Sequence, residues 1–200
     1  MTKASNSKTG IILCGGKSNR MGKNKALLSF GKDTIIELVA KTLSTICDQV
    51  IISTNSNELY FLPYTKVADK LVDIGPIAGF HSSLLETKTE HNFIVSCDTP
   101  FISSALLLHL FNHSKNYDVV LPVFENHLQP MTGYFNKNII KIIENQIEAG
   151  NIKPINIFEN AKMNALKIDS ALNFYHKYLF FNINSPEEYE QAKLIHKSIF

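Results

Sequence analysis

Short, continuously apolar runs alternate with longer stretches of helical spacing along the whole chain. Gly10-Ile11-Ile12-Leu13-Cys14, Val50-Ile51-Ile52-Ser53 and Phe93-Ile94-Val95-Ser96-Cys97 show no polar alternation. That is the pattern of strands buried on both faces of a parallel sheet. Ile35, Val39, Thr42 and Ile46 recur at 3.6-residue spacing and predict a helix over 34–47. Lys66-Val67-Ala68 reads as a short strand, and Pro76 suits the first turn of a helix over 77–87. Helices are expected over 103–112 and 136–149, and strands over 118–122 and 131–134. Phe180-Phe181-Asn182-Ile183-Asn184 is expected as the last strand. Behind it, Ser185-Pro186-Glu187-Glu188 opens a helix with a capping box: Ser185 caps, Pro186 takes the first position and Glu188 reaches back. Strand–helix alternation implies an α/β protein, one Rossmann-like three-layer α/β/α domain with a mostly parallel sheet. Such sheets bind ligands outside the carboxyl ends of their strands, so the residues that follow each strand matter most.

Composition narrows the class. Two hundred residues with 44% hydrophobic and 19% charged side chains suit one globular domain, expected over 9–200 behind a flexible leader at 1–8. Twenty basic against 18 acidic residues leave a net charge of +2, which argues against a general nucleic-acid or membrane-surface binder. Three cysteines without CxxC spacing read as reduced thiols, and no run is long enough for a membrane span. A cytoplasmic location is the expectation.

The chemistry gathers after the strands. Cys14-Gly15-Gly16-Lys17-Ser18-Asn19-Arg20-Met21-Gly22-Lys23-Asn24-Lys25 carries three glycines, four cations and no acid. Glycines let main-chain N–H groups approach an anion, and the cations balance its charge, as a triphosphate requires. The spacing fits neither the dinucleotide fingerprint nor the Walker pattern. A solvated basic turn is the plain alternative. Asp98, in Ser96-Cys97-Asp98-Thr99-Pro100, is well placed for Mg²⁺, or else caps a turn. Asp69 and Asp73 add acids to the same rim, ahead of Gly75-Pro76-Ile77-Ala78-Gly79. Together these features indicate metal-assisted nucleotide chemistry.

Leu13-Cys14-Gly15-Gly16-Lys17-Ser18-Asn19-Arg20-Met21-Gly22 with Lys25 resembles the signature loop of nucleotidyltransferases that activate small molecules with an NTP, the nucleotide-diphospho-sugar transferase type of fold. Gly75–Gly79, Cys97–Phe101, Gln129-Pro130 and Phe181-Asn182-Ile183-Asn184-Ser185-Pro186-Glu187 are similar to motifs of molybdenum cofactor guanylyltransferases, in the same order. The resemblance runs from about Gly10 to Ala192. It implies that GMP passes from GTP to molybdopterin and that pyrophosphate leaves. It implies GTP contacts from Leu13, Cys14, Gly15, Gly16, Lys25, Asp69 and Asp98, with Ser53 or Asn55 on the base side. Arg20 and Lys25 would serve the phosphates, Asp98 would hold Mg²⁺, and Gln129, Asn182 and Asn184 would lie on the pterin side. GTP and molybdopterin are the implied partners, with proteins of molybdenum insertion or molybdoenzyme maturation around them. Cys14 stands where the family has alanine, Asn24 where it has aspartate, and Ser53 where it has asparagine.

Other candidates carry less. Cys14 and Cys97 read as small buried hydrophobes rather than redox centres. His109 and His113 could share a helix face and a metal, but no acid or cysteine completes the set. Tyr175, Tyr178, Phe180 and Phe181 could stack on a pterin or simply pack, and Lys153-Pro154 suggests no chemistry. Two other readings stay open. One is transfer with another base or acceptor, such as molybdopterin cytidylyl transfer; the other is a nucleotide-binding protein without turnover.

Overall fold

The computed structural model describes residues 6–15 and 24–199. In chain order the elements are β1 (Lys8–Leu13), β2 (Ser29–Phe30), β3 (Asp33–Thr34), α1 (Ile35–Ser44), β4 (Gln49–Ser53), β5 (Thr65–Val67), α2 (Pro76–Glu86), β6 (His91–Ser96) and α3 (Ser104–Asn112). There follow β7 (Val119–Phe124), β8 (His127–Leu128), β9 (Gly133–Asn136), α4 (Ile139–Glu148), α5 (Pro154–Phe158), β10 (Met163–Ile168) and α6 (Pro186–Ile199). The main sheet runs β10-β7-β9-β6-β1-β4-β5, with β8 paired to β7, while β2 and β3 form a separate ribbon. β1 pairs in parallel with β4 and with β6, so that Ile11 lies level with Ile51 and Ile94. β9 is antiparallel to both β6 and β7, which gives a mixed but mostly parallel sheet.

Both faces of the central strands are filled, which is why their sequences show no alternation. Ile12, Ile52, Phe93 and Val95 pack against Val39 and Leu43 of α1 and Leu106 and Leu110 of α3. Ile11, Leu13, Ile51 and Ile94 pack against Ile77 and Phe80 of α2, Ile139 and Ile143 of α4, and Phe158 of α5. Each such side chain contributes about 1.5–3 kcal/mol when fully buried. A third cluster joins α6 to the ribbon through Phe30, Phe101, Ile183 and Ile195. The expected three-layer architecture is therefore present.

One expected element is absent. Residues 180–184 form no strand. Phe180 and Ile183 are buried three residues apart, a spacing that a period-two strand cannot supply. Phe180 packs on Phe124 at 5.1 Å between ring centroids, and the Ile183 N–H donates to the Asp98 carbonyl at 3.0 Å. The edge of the sheet belongs instead to β10, whose residues are mostly half-exposed with only Ile168 buried, so its sequence carries little apolar signal. α5 also lay outside the sequence expectation, and β9 and α4 start two and three residues later than it. β1 already opens at Lys8, inside the expected leader. Residues 1–5 of that leader lie outside the described residues.

Candidate active site

The parallel block β6-β1-β4-β5 brings four strand ends to one rim. The hydrogen-bond ladder runs past the strands and fixes the first residues of each loop. Cys14 N–H donates to Ser53 O at 2.8 Å, Cys97 N–H to Leu13 O at 3.1 Å, and Thr54 N–H to Val67 O at 2.9 Å.

Asp98 stands at the end of β6. Its Oδ1 accepts from Ser96 Oγ at 2.5 Å and its Oδ2 from Lys25 Nζ at 2.6 Å. The two side chains of this ion pair are only 21% and 15% exposed. Lys25 Nζ also lies 3.4 Å from Asn184 Oδ1. The loop at 182–184 is thereby tied to the rim twice, through Lys25 and through the Ile183–Asp98 main-chain bond. Asn182 and Asn184 are exposed on either side of buried Ile183. The capping box of α6 holds Asn184 in place: Glu188 Oε2 accepts the N–H groups of Asn184 and Ser185 at 2.6 and 3.0 Å, and Glu188 N–H returns to Ser185 Oγ at 3.2 Å.

Lys25 opens a 3-10 turn that Asn24 caps, its Oδ1 accepting Ala26 N–H at 3.2 Å. The amide Nδ2 of Asn24 donates to Glu58 Oε2 at 2.9 Å. An aspartate at 24 would set a second carboxylate against Glu58. The neutral amide suits this chain.

At the β4–β5 end, Asn55 and Asp69 exchange two hydrogen bonds. Asn55 Nδ2 donates to Asp69 Oδ2 at 2.8 Å, and Asp69 N–H donates to Asn55 Oδ1 at 2.8 Å. Ser53 is buried, and its Oγ lies 2.6 Å from the point a Cβ would occupy on Gly79. The same point is 3.3 Å from Leu13 Cδ2 and 3.5 Å from Asp69 Oδ1, so only glycine lets α2 sit this close to the rim. Gly75, with φ +66, supplies the left-handed residue that leads Pro76 into α2.

Other expected residues fall as follows. Cys14 borders the rim, where a hydrogen bond with Cys97, reinforced by burial, pushes its thiol well above the ordinary range. A group so held stays protonated and is a poor nucleophile. Gln129 follows the β7–β8 hairpin, its N–H donating to Pro122 O at 2.9 Å and its Nε2 to His127 O at 3.3 Å. His113 Nδ1 bonds to the His109 carbonyl at 2.8 Å, and the His109 ring packs on Phe174. Among the described residues no group of three or more histidine, cysteine and acidic side chains could hold a metal. Gly16, Lys17, Arg20 and Lys23 lie outside the described residues. Sequence reasoning passed over Ser96, Glu58 and the Lys25–Asn184 contact. A serine two residues before a strand-end aspartate was the one local signal among them.

A lysine–aspartate pair at one end of such a rim and a held carboxylate at the other stand at the strand ends, where α/β sheets take their ligands. Residues 10–159 match the MobA-like NTP transferase domain, and the chain belongs to that family of nucleotidyltransferases. It is 35% identical over 181 residues to a probable molybdenum cofactor guanylyltransferase of Flavobacterium johnsoniae, covering 90% of this chain and 93% of that one. A protein of Pelotomaculum thermopropionicum with the same description is 33% identical over 189 residues, covering 94% and 92%. The fold is shared with the crystal structure of molybdopterin-guanine dinucleotide biosynthesis protein A from Archaeoglobus fulgidus, with a TM-score of 0.81 at 21% identity over 96% of this chain and 100% of that one. Among the described residues no helix is long and apolar enough to cross a membrane.

Proposed function

We propose that the protein transfers GMP from GTP to molybdopterin, with or without molybdenum bound, forming the guanine dinucleotide and releasing pyrophosphate. The observation that carries the reading is the Lys25–Asp98 pair on the rim, with Asn184 of the C-terminal loop at the same lysine. That arrangement suits two substrates meeting at one point. The names of the curated relatives support a guanylyl group as the one transferred and the molybdenum cofactor as the acceptor.

No protein nucleophile is needed. The terminal phosphate of molybdopterin is an anion at neutral pH. One of its oxygens bonds to the α-phosphorus of GTP as the bond from that phosphorus to the bridging oxygen breaks, and pyrophosphate leaves with the electron pair. The chain must align the two ends and neutralise the leaving charge. Lys25 lies where it can meet that charge, with Arg20 as a second cation from the glycine loop. Asn182 and Asn184 would meet the acceptor, with Gln129 after the β7–β8 hairpin as a further contact to it. The Cys14 N–H is already given to Ser53 O, so the main-chain donors for the nucleotide would come from Gly15 onward in the glycine loop. Asp98 fits a nucleotide-borne Mg²⁺, which asks the protein for only one or two carboxylates. Bound there, Mg²⁺ would supply charge neutralisation on the phosphates. A cytoplasmic setting and hand-over to proteins of molybdenum insertion or molybdoenzyme maturation accord with this reading.

Pyrophosphate release tests it. With Mg²⁺, GTP and molybdopterin, pyrophosphate should appear only when all three are present. Release with CTP in preference to GTP would return the protein to cytidylyl transfer, and no release with any nucleotide would leave a binding protein.

A further inference from the structure

We propose a second ligand site at the opposite end of the sheet from the rim, a polar cavity at the starts of β6, β7 and β10 that takes a small phosphate monoester carrying hydroxyl groups. It shares no residue with the candidate active site and stands independently of the guanylyl reading.

Strand direction separates the two sites. β6 starts at His91 and ends at Ser96 beside Asp98, so its ends lie about 17 Å apart. Val119 and Met163, the first residues of β7 and β10, lie level with each other. His91 lies level with Asn136, the last residue of antiparallel β9. These strand ends and the turn after α3 enclose a cavity of about 330 Å³, large enough for a small ligand.

The cavity is lined by a held polar network. Tyr134 is buried, and its hydroxyl lies 2.8 Å from His91 Nδ1. The side chains of Asn136 and Ser114 donate to the same hydroxyl. The Tyr134 proton therefore goes to His91 Nδ1. Burial holds the His91 ring below the ordinary histidine value, so it is neutral at pH 7 and carries its proton on Nε2. Main-chain bonds fix the surrounding segments: Asp118 N–H donates to Lys162 O at 2.8 Å, Asn136 N–H to Asp118 O at 2.7 Å, and Tyr117 N–H to Ser114 O at 2.9 Å. Asn116, with φ +69, turns the chain so that Lys115 and Tyr117 both border the cavity. The charges choose the ligand. Lys115 and Lys162 also border it, are exposed, and enter no ion pair among the described residues. Two ammonium point charges without an arginine fork suit a phosphate better than a planar carboxylate. Asp118 Oδ2 accepts only a long bond, 3.3 Å, from Lys162 N–H. It is the acceptor that a hydroxyl on the ligand would meet.

The test is titration of glycerol 3-phosphate, and separately of inorganic phosphate, into the full chain, followed by amide NMR. Glycerol 3-phosphate should shift the amides of His91, Lys115, Tyr117, Asn136 and Lys162, and it should bind more tightly than inorganic phosphate. The double variant Lys115→Ala/Lys162→Ala should lose about tenfold or more in affinity for the ester. Both lysines are exposed, so the variant should fold, which thermal unfolding verifies. Shifts confined to Leu13, Gly15, Lys25 and Asp98 would put the anion on the rim and overturn the proposal. Equal affinity of wild type and the double variant overturns it as well, and so does inorganic phosphate binding as tightly as the ester.

Discussion

Replacing Asp98 by asparagine should make the protein bind metal-free GTP more tightly while abolishing transfer. Lys25 is held by Asp98 at 2.6 Å, with the side chains 21% and 15% exposed. To reach a phosphate, Lys25 must leave this pair. A partly buried, charge-assisted contact of this kind contributes about 1–2 kcal/mol net, discounted for its remaining solvent exposure. Asp98 also repels a triphosphate that arrives without a cation, and asparagine removes both costs. The gain should be about 5–30-fold in affinity. The substituted amide can accept from Lys25 through Oδ1 and donate to Ser96 Oγ through Nδ2, so the rim keeps its shape. Calorimetric titration of GTP in EDTA measures the change directly. Equal or weaker metal-free binding by Asp98→Asn would refute the argument that the pair is opened when nucleotide binds.

Three further outcomes follow from the same geometry. Gly79→Ala should destabilise by about 1–3 kcal/mol, because its Cβ would stand 2.6 Å from Ser53 Oγ; Ser53→Ala in the same chain should restore most of the melting temperature. Asn24→Asp should weaken GTP binding a few-fold by facing the Glu58 carboxylate, and Glu58→Gln should recover it, as titrations of the single and double variants would record. Burial pushes the Cys47 thiol up to about 12, and the Cys97 contact with burial raises Cys14, so both folded-state values exceed the unfolded thiol's, about 8.5. Their contribution to stability is complete below that unfolded value and is lost as pH rises toward the folded ones. Denaturant midpoints should fall above about pH 8.5, and Cys14→Ala/Cys47→Ala should flatten the fall.

Much of this was legible in the chain because burial on both faces leaves a continuous apolar run. Ile11-Ile12-Leu13 and Ile94-Val95 announce central strands, and the rim residues follow from where those strands stop. The capping box of α6 was equally plain, since Ser185 and Glu188 interact within one turn. Residues 180–184 misled because Phe180 and Ile183 are apolar for contacts with different clusters, one with Phe124 and one with Phe101 and α6. β10 was hidden by its exposure at the sheet edge. The rim pairs were beyond sequence reasoning for another reason. Asn24 and Glu58 lie 34 residues apart, Asn55 and Asp69 14, and Lys25 and Asn184 159. Only strand order brings them together.

The most direct test of guanylyl transfer follows the α-phosphate. GTP labelled at the α-phosphorus, incubated with the protein, Mg²⁺ and molybdopterin, should give a pterin-containing product that carries the label, in an amount equal to the pyrophosphate released. GTP labelled at the γ-phosphorus should put its label only into pyrophosphate. A product without α-label, or one labelled more readily from CTP than from GTP, would contradict the account.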